Sequence, residues 1–118
     1  MDDRGAATVW SLALVSLLLL VGLVCSAVAS LAVTRQRAAT VADVAALAAA
    51  GALNDPCAQA DRSVLANGMR LGSCRIEGVD VLVEVTARPS ALVARLYGLL
   101  GREPGDVRAA ARAGPPLP

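Results

Sequence analysis

The chain opens with an apolar stretch that predicts a membrane-spanning helix. Residues 6–34 contain no charged side chain, and this run of 29 residues exceeds the roughly 20 that a helix needs to cross a bilayer. Residues 35–53 contain no Pro and remain rich in Ala, Leu and Val, which are compatible with helix. The pattern predicts one long helix, with a transmembrane half at 6–34 and an exposed continuation outside the membrane at 35–53.

A second, shorter helix is predicted after the break at residues 54–56. Asp55 suits an N-cap, Pro56 suits the first helical position, and Gly68 suits the end of a helix that closes near residue 67. Cys57 and Val64 stand seven residues apart on one face, which we expect to point toward the domain core.

The next segment alternates with period two, which predicts antiparallel strands. Valines at 79, 81, 83 and 85 alternate with other residues, and a third strand is predicted near residues 107–113. We expect Glu77 and Gly78 to form the hairpin turn, with Ile76 and Val79 on one side of the sheet. The fold class is therefore α+β: a long and a short helix, and a small antiparallel sheet of about three strands, with the domain at 54–113 and a flexible tail at 114–118.

Residues 91–100 are apolar apart from Arg95 and predict a short third helix, capped by Ser90 and ended by Gly101. The favoured interpretation of its leucines is packing in the core. The alternative is an interfacial segment that touches the membrane or a partner.

The three cysteines fall into two groups. Cys57 and Cys74 flank 16 residues of a domain with a thin core, which favours a disulfide over two separate thiols. Such a loop contributes on the order of 3 kcal/mol in the chain-entropy model. Cys25 lies within the apolar run, where a small side chain serves as packing material.

The composition excludes much chemistry. The chain has no His, and its basic residues are all Arg, so Ser–His couples, His metal ligands and Lys Schiff bases are excluded. The net charge of +1 gives no electrostatic case for nucleic acid. Asp and Glu form no catalytic motif, so we expect no enzyme, no catalytic residue, no cofactor and no metal site.

Small residues recur at every fourth position of the apolar run. Such stripes let helices approach closely in lipid, so the sequence predicts contacts with other helices at Gly22, Ser26, Ser30 and Thr34. The spacing continues through Ala38, Ala42, Ala46 and Ala50, where the abundance of alanine is an equal explanation.

The orientation in the membrane is ambiguous by charge. Arg4 stands beside two aspartates before the run, whereas Arg35 and Arg37 follow it, which by the positive-inside rule places the domain in the cytoplasm. The candidate disulfide favours the opposite side. The segment before the run is not net basic and the run is long for a signal peptide, so a retained anchor is favoured over a cleaved signal.

Four segments carry a resemblance to a known family. They are residues 4–10, a short leader ending in Gly before the helix; residues 36–48, with their Ala-Asp-x-Ala-Ala-Leu-Ala run; the cysteine pair around residues 66–71; and residues 79–85, followed by a strand rich in Arg and Ala and a Gly-Pro tail. In these segments the chain resembles the TadE-like family, the small pilin-like proteins of tight-adherence (Flp, type IVb) pilus systems, and most closely the short actinobacterial branch.

The resemblance implies that the chain is made as a precursor and processed like a prepilin. Residues 1–5 would be a leader that a prepilin peptidase removes by cutting after Gly5. The mature chain would then be a minor pilin-like component of the pilus or secretion apparatus, with the membrane, other pilin-like subunits and the inner-membrane assembly platform as partners. The N-terminus would be cytoplasmic and the domain extracytoplasmic. Asp43 is a possible subunit contact, with a solvated helix face as the alternative.

The chain departs from the family pattern at one position. Many members carry Glu five residues after the cut, and Trp10 stands there instead. A Trp at this place also suits an anchor at the membrane interface. The second functional hypothesis is a membrane-tethered extracytoplasmic binding or regulatory module that enters no fibre.

Overall fold

The structure, a computed structural model, describes residues 3–115. It contains, in chain order, α1 (Asp3–Ala50), α2 (Pro56–Ala66), β1 (Arg70–Glu77), β2 (Asp80–Ala87), α3 (Ala91–Leu99) and β3 (Val107–Ala113). This confirms the predicted α+β fold. The first two residues of the predicted leader, and residues 116–118 of the predicted tail, lie outside the described residues.

The long helix α1 gives the molecule its elongated shape of 81 × 32 × 20 Å. It runs without interruption for 48 residues, about 72 Å at 1.5 Å per residue, because neither Pro nor a charged cluster interrupts the apolar half. It ends at Ala50, three residues before the predicted end.

A three-stranded antiparallel sheet in the order β1-β2-β3 packs against one side of α1. Side chains of the central strand β2 alternate between buried and half-buried, and Val81, Val83 and Val85 face the helices. α1 packs across β2 and β3, and α2 packs against α1 and β1. The domain therefore has two layers, with the helices on one face of the sheet.

The core between these layers consists of small side chains. α1 contributes only one valine, and its other buried residues are Ala38, Ala42, Ala45, Ala46 and Ala49. The largest fully buried side chains of the described residues are Val64, Val83 and Val85. Alanines on the helix let the sheet approach it closely. Residues 35–50, predicted to be an exposed continuation of the helix, are therefore exposed on one face only, and their other face forms part of the domain core.

The hairpin between β1 and β2 differs from the prediction by one residue. Glu77 pairs with Asp80, so the turn residues are Gly78 and Val79 rather than Glu77 and Gly78. Gly78 has φ 63°, and a two-residue hairpin favours Gly at a first turn position of positive φ. Val79 consequently lies in the turn, 73% exposed, instead of on the buried face with the other valines.

Strand β1 carries a bulge between Leu71 and Ser73. A Cβ on the intervening Gly72 would approach Glu84 Oε1 to 3.1 Å and Thr86 Cγ2 to 3.2 Å. Gly therefore suits this position because the neighbouring strand crowds it.

The sheet face that points away from the helices is polar. Arg112 Nε donates to Asp80 Oδ2 at 2.7 Å, and its Nη2 donates to the same oxygen. This hydrogen bond and the negative charge of Asp80 raise the pKa of Arg112 above its ordinary value, so the guanidinium stays charged. Arg108 and Glu84 approach to 3.9 Å on the same face. Because solvent contacts this face and the helices cover the other, the burial of side chains along β2 alternates with period two.

A disulfide joins Cys57 on α2 to Cys74 on β1, with the two Cα atoms 5.8 Å apart. Cys74 packs at the edge of the main core cluster, and the neighbouring Ala60 and Val64 of α2 are fully buried in it. The bond therefore fixes α2 to the edge strand. Cys25 is a free, exposed cysteine on α1.

Enlarging the alanine face of α1 should destabilise the domain. Ala42 is completely buried, so Ala42→Leu should overpack the core and lower the free energy of unfolding by about 1–3 kcal/mol. Hydrogen exchange of the β2 amides, in the full chain in detergent micelles, measures this. Ala39→Leu makes the same change on the exposed face and should have little effect. Equal effects of both substitutions would contradict this description of the core.

Removing the disulfide should also destabilise the domain. The double substitution Cys57→Ser, Cys74→Ser opens a loop with a sequence separation of 17 residues. The chain-entropy model gives a loss on the order of 3 kcal/mol, measurable as a lower urea midpoint of the domain. Cys25→Ser is the control and should leave the midpoint unchanged, since Cys25 lies outside the domain. An unshifted midpoint in the double variant would show that the bond adds no stability.

Candidate functional site

The first half of α1 presents an apolar surface that nothing in the described structure covers. Every side chain from residue 3 to residue 26 is exposed, among them Trp10, which is 70% exposed. The most apolar 18-residue window of the helix has a mean hydropathy of 2.7. By length and composition α1 is able to cross a membrane, and it is compatible with a single-pass anchor.

The few polar side chains in this half bond to the helix itself. Four hydroxyls donate to backbone carbonyls three or four residues earlier at 2.8–2.9 Å: Thr8 to Gly5, Ser11 to Ala7, Ser16 to Leu12 and Ser26 to Gly22. A hydroxyl paired in this way enters lipid without an unsatisfied donor. These residues therefore do not interrupt the apolar surface.

The predicted small-residue stripe divides into two parts. Gly22 and Ser26 are exposed, and a Cβ on Gly22 would meet no atom within 4 Å, so another helix has access to both. Ser30 and Thr34 are half-buried against the chain's own domain, and the Ser30 hydroxyl donates to Ser90 Oγ at 2.5 Å. Contact with other helices stays a prediction, and the structure leaves most room for it at Gly22 and Ser26.

The alanine spacing beyond Thr34 has an intramolecular explanation. Ala38, Ala42 and Ala46 pack against the sheet and α2, and only Ala50 of that series is exposed. On the opposite face of α1, Gln36, Thr40 and Leu47 are exposed. Asp43 is also exposed, and its role as a subunit contact stays a prediction.

Gly5 lies within the first turn of α1, two residues after the described start of the helix at Asp3. The first backbone N–H groups of a helix lack intrahelical partners, so this end is the easiest part of the helix to unwind. Gly5 is exposed, and a Cβ there would meet no atom within 4 Å. Cleavage after Gly5 stays a prediction.

Helix α3 departs in part from the favoured expectation that its leucines pack in the core. Ser90 is the N-cap, as predicted, and Gly101 follows the helix with φ 69°. Val93 is its only buried residue, and Leu92 and Leu96 are half-buried. Leu99 and Leu100, at the end of the helix, are 84% and 75% exposed. The exposed side chains Tyr97, Leu99 and Leu100 are hereafter the α3 surface.

A cleft of about 570 Å³ opens where α1 meets the start of α3. Arg37 on α1, Arg70 on β1 and Arg88 before α3 line it, together with Asp106. Guanidinium groups recognise anions, so the cleft favours an anionic group over a neutral one. The cleft could not be predicted from the sequence, because its arginines are up to 51 positions apart and no spacing connects them.

The described part of the chain offers little that points to a metal site. Residues 3–115 contain no group of three or more His, Cys, Asp or Glu side chains that could hold a metal ion. What the structure offers are surfaces: an apolar helix, an exposed small-residue patch, the α3 surface and the arginine cleft. These define a protein with a helix able to anchor it in a membrane and a small disulfide-linked α+β domain.

The Tad family model, described as Flp pilus-assembly TadE/G-like, matches residues 5–52, which are α1 from Gly5 onward and the two residues after it. The match covers less than half of the chain, and over those residues it agrees with the resemblance to the TadE-like family predicted from the sequence. The family is described as one of pilus assembly, and the helix that its model matches is able by length and composition to cross a membrane. No match is found among the curated proteins or among the solved structures.

Proposed function

We propose that this chain is a membrane-anchored minor pilin-like (pseudopilin) component of a tight-adherence or Flp-type pilus or secretion apparatus, and that it acts by helix packing and assembly. Its role is structural rather than catalytic. A prepilin peptidase cuts after Gly5, the apolar half of α1 stays in the membrane, and the domain lies on the extracytoplasmic side.

One observation carries this proposal: the family match falls on α1, and α1 is the element whose surface the domain leaves open. From residue 3 to residue 26 the helix makes no contact that buries a side chain, so its apolar surface is available to lipid and to other helices. Small residues at Gly22 and Ser26 provide the close approach that helix packing in lipid requires. The disulfide supports an extracytoplasmic domain, because such bonds persist in oxidising compartments.

Cross-linking within the membrane tests the assembly. A photo-activated residue at Gly22 or Ser26, in cells that contain the whole apparatus, should capture other helical subunits, because this face permits close contact. Val24 is the matched control, since two residues correspond to about 200° around a helix and place it on a different face. It should give at least several-fold less product. Recovery of uncross-linked monomer alone, or equal capture from both faces, would contradict the proposal.

A second candidate is a membrane-tethered extracytoplasmic binding or regulatory module, which the exposed α3 surface and the arginine cleft favour. Such a module needs neither processing at Gly5 nor helical partners. It therefore differs from the pilin-like proposal in the covalent state of the mature chain.

Intact-mass measurement of the protein from native membranes separates the two. The pilin-like function predicts a mature chain that lacks residues 1–5 and begins at Ala6. A substitution with a bulky residue, Gly5→Leu, should block the cut and leave the full-length mass, while Gly22→Leu should leave processing intact. A wild-type chain that retains residues 1–5 would favour the tethered module.

A further inference from the structure

We propose that α3 lies in the headgroup region of the membrane, with the α3 surface in contact with lipid, so that it fixes the height of the domain above the bilayer. The inference rests on α1 being a membrane anchor, as in the proposed function, but it requires neither processing nor assembly.

The topology places α3 on the membrane side of the domain. The connection between β2 and β3 contains α3, and the two strand ends that it joins, Ala87 and Val107, pack together beside Ala38 of α1. Ser90, at the start of α3, reaches Ser30, which is eight residues nearer the apolar end of α1. At 1.5 Å per residue this is about 12 Å closer to the membrane.

The length of α1 places this contact at a bilayer surface. From Trp10 to Ser30 the helix rises over 20 residues, or about 30 Å, which is the thickness of a bilayer hydrocarbon core. Trp favours the membrane interface, so Trp10 at one surface puts Ser30, and with it α3, at the other. Tyr97 gives the second surface an aromatic side chain of the type that is enriched there.

The chemistry of α3 fits a lipid surface better than water. Its exposed end carries two leucines, while residues 88–102 contain three arginines and no acidic residue. Apolar and basic side chains together are typical of helices that lie in a membrane interface, where arginines reach headgroup phosphates. The arginine cleft opens beside Ser90 and Thr34, so it lies at the same end of the domain as the start of α3, with Asp106 as its acidic lining residue. The first acidic residues after α3 are Glu103 and Asp106.

Tryptophan fluorescence with brominated lipid tests this placement. The full chain is reconstituted into vesicles of phosphatidylcholine and phosphatidylglycerol, in which bromine on the upper part of the acyl chains quenches nearby Trp. Native Trp10 reports whether α1 lies in lipid. In a Trp10→Phe background, Leu99→Trp reports on α3, and Val79→Trp is the control, because Val79 is similarly exposed in the hairpin at the other end of the domain.

The expected result is quenching of about twofold for Leu99→Trp and almost none for Val79→Trp, since interfacial helices bury their apolar face some 5–10 Å deep. If Leu99→Trp disturbs the domain, Leu100→Trp on the same surface replaces it.

Two results would overturn the inference while leaving the anchor intact. One is quenching of Trp10 without quenching at residue 99. The other is a Trp at residue 99 that neither bromolipid nor the water-soluble quencher acrylamide quenches. Such a side chain is covered by protein, which would assign the α3 surface to a second copy of the chain. An unquenched Trp10 would overturn both the inference and the membrane anchor on which the proposed function depends.

Discussion

The contact between the alanine face of α1 and the valine face of β2 holds this molecule together. Side chains of one to three carbons meet across it, so the helix lies close to the sheet and the small domain closes a core without a large buried residue. A core this thin gives limited stability by apolar burial alone. The disulfide between α2 and β1 supplements it at the edge that α1 does not cover.

The same contact determines what α1 offers to its surroundings. The helix uses one face of its second half for its own domain, and leaves the opposite face and the whole first half free. The small residues divide accordingly: Ser30 and those after it as far as Ala46 contact the domain, whereas Gly22 and Ser26 are exposed. A single helix thus supplies a core element at one end and an exposed apolar surface, long enough to cross a membrane, at the other.

Position along α1 also relates the remaining surfaces to one another. Ser30, Thr34 and Arg37 follow successive turns of one side of the helix, and α3 and the arginine cleft lie beside them. The lower boundary of the domain therefore combines apolar, hydroxyl and cationic groups within a layer about as deep as a headgroup region. At the hairpin, by contrast, the arginines are paired with carboxylates: Arg75 approaches Glu77, and Arg112 binds Asp80.

The sequence by itself determined the elements that rest on local rules. A charge-free run of helix formers predicted α1, Asp55 with Pro56 and Ser90 with Gly101 predicted the limits of two helices, and period two predicted the buried valines. Only the tertiary structure decided matters of contact between distant residues. It moved the turn to Gly78 and Val79, because the strand pairing places Glu77 opposite Asp80. It assigned Ala38, Ala42 and Ala46 to the domain's own core. It left Leu99 and Leu100 at the end of α3 exposed, and it gathered arginines from three segments into one cleft. A sequence does not distinguish an apolar residue that is covered by a sheet from one that is covered by lipid or by another subunit. Only the folded structure shows which apolar faces the chain itself buries.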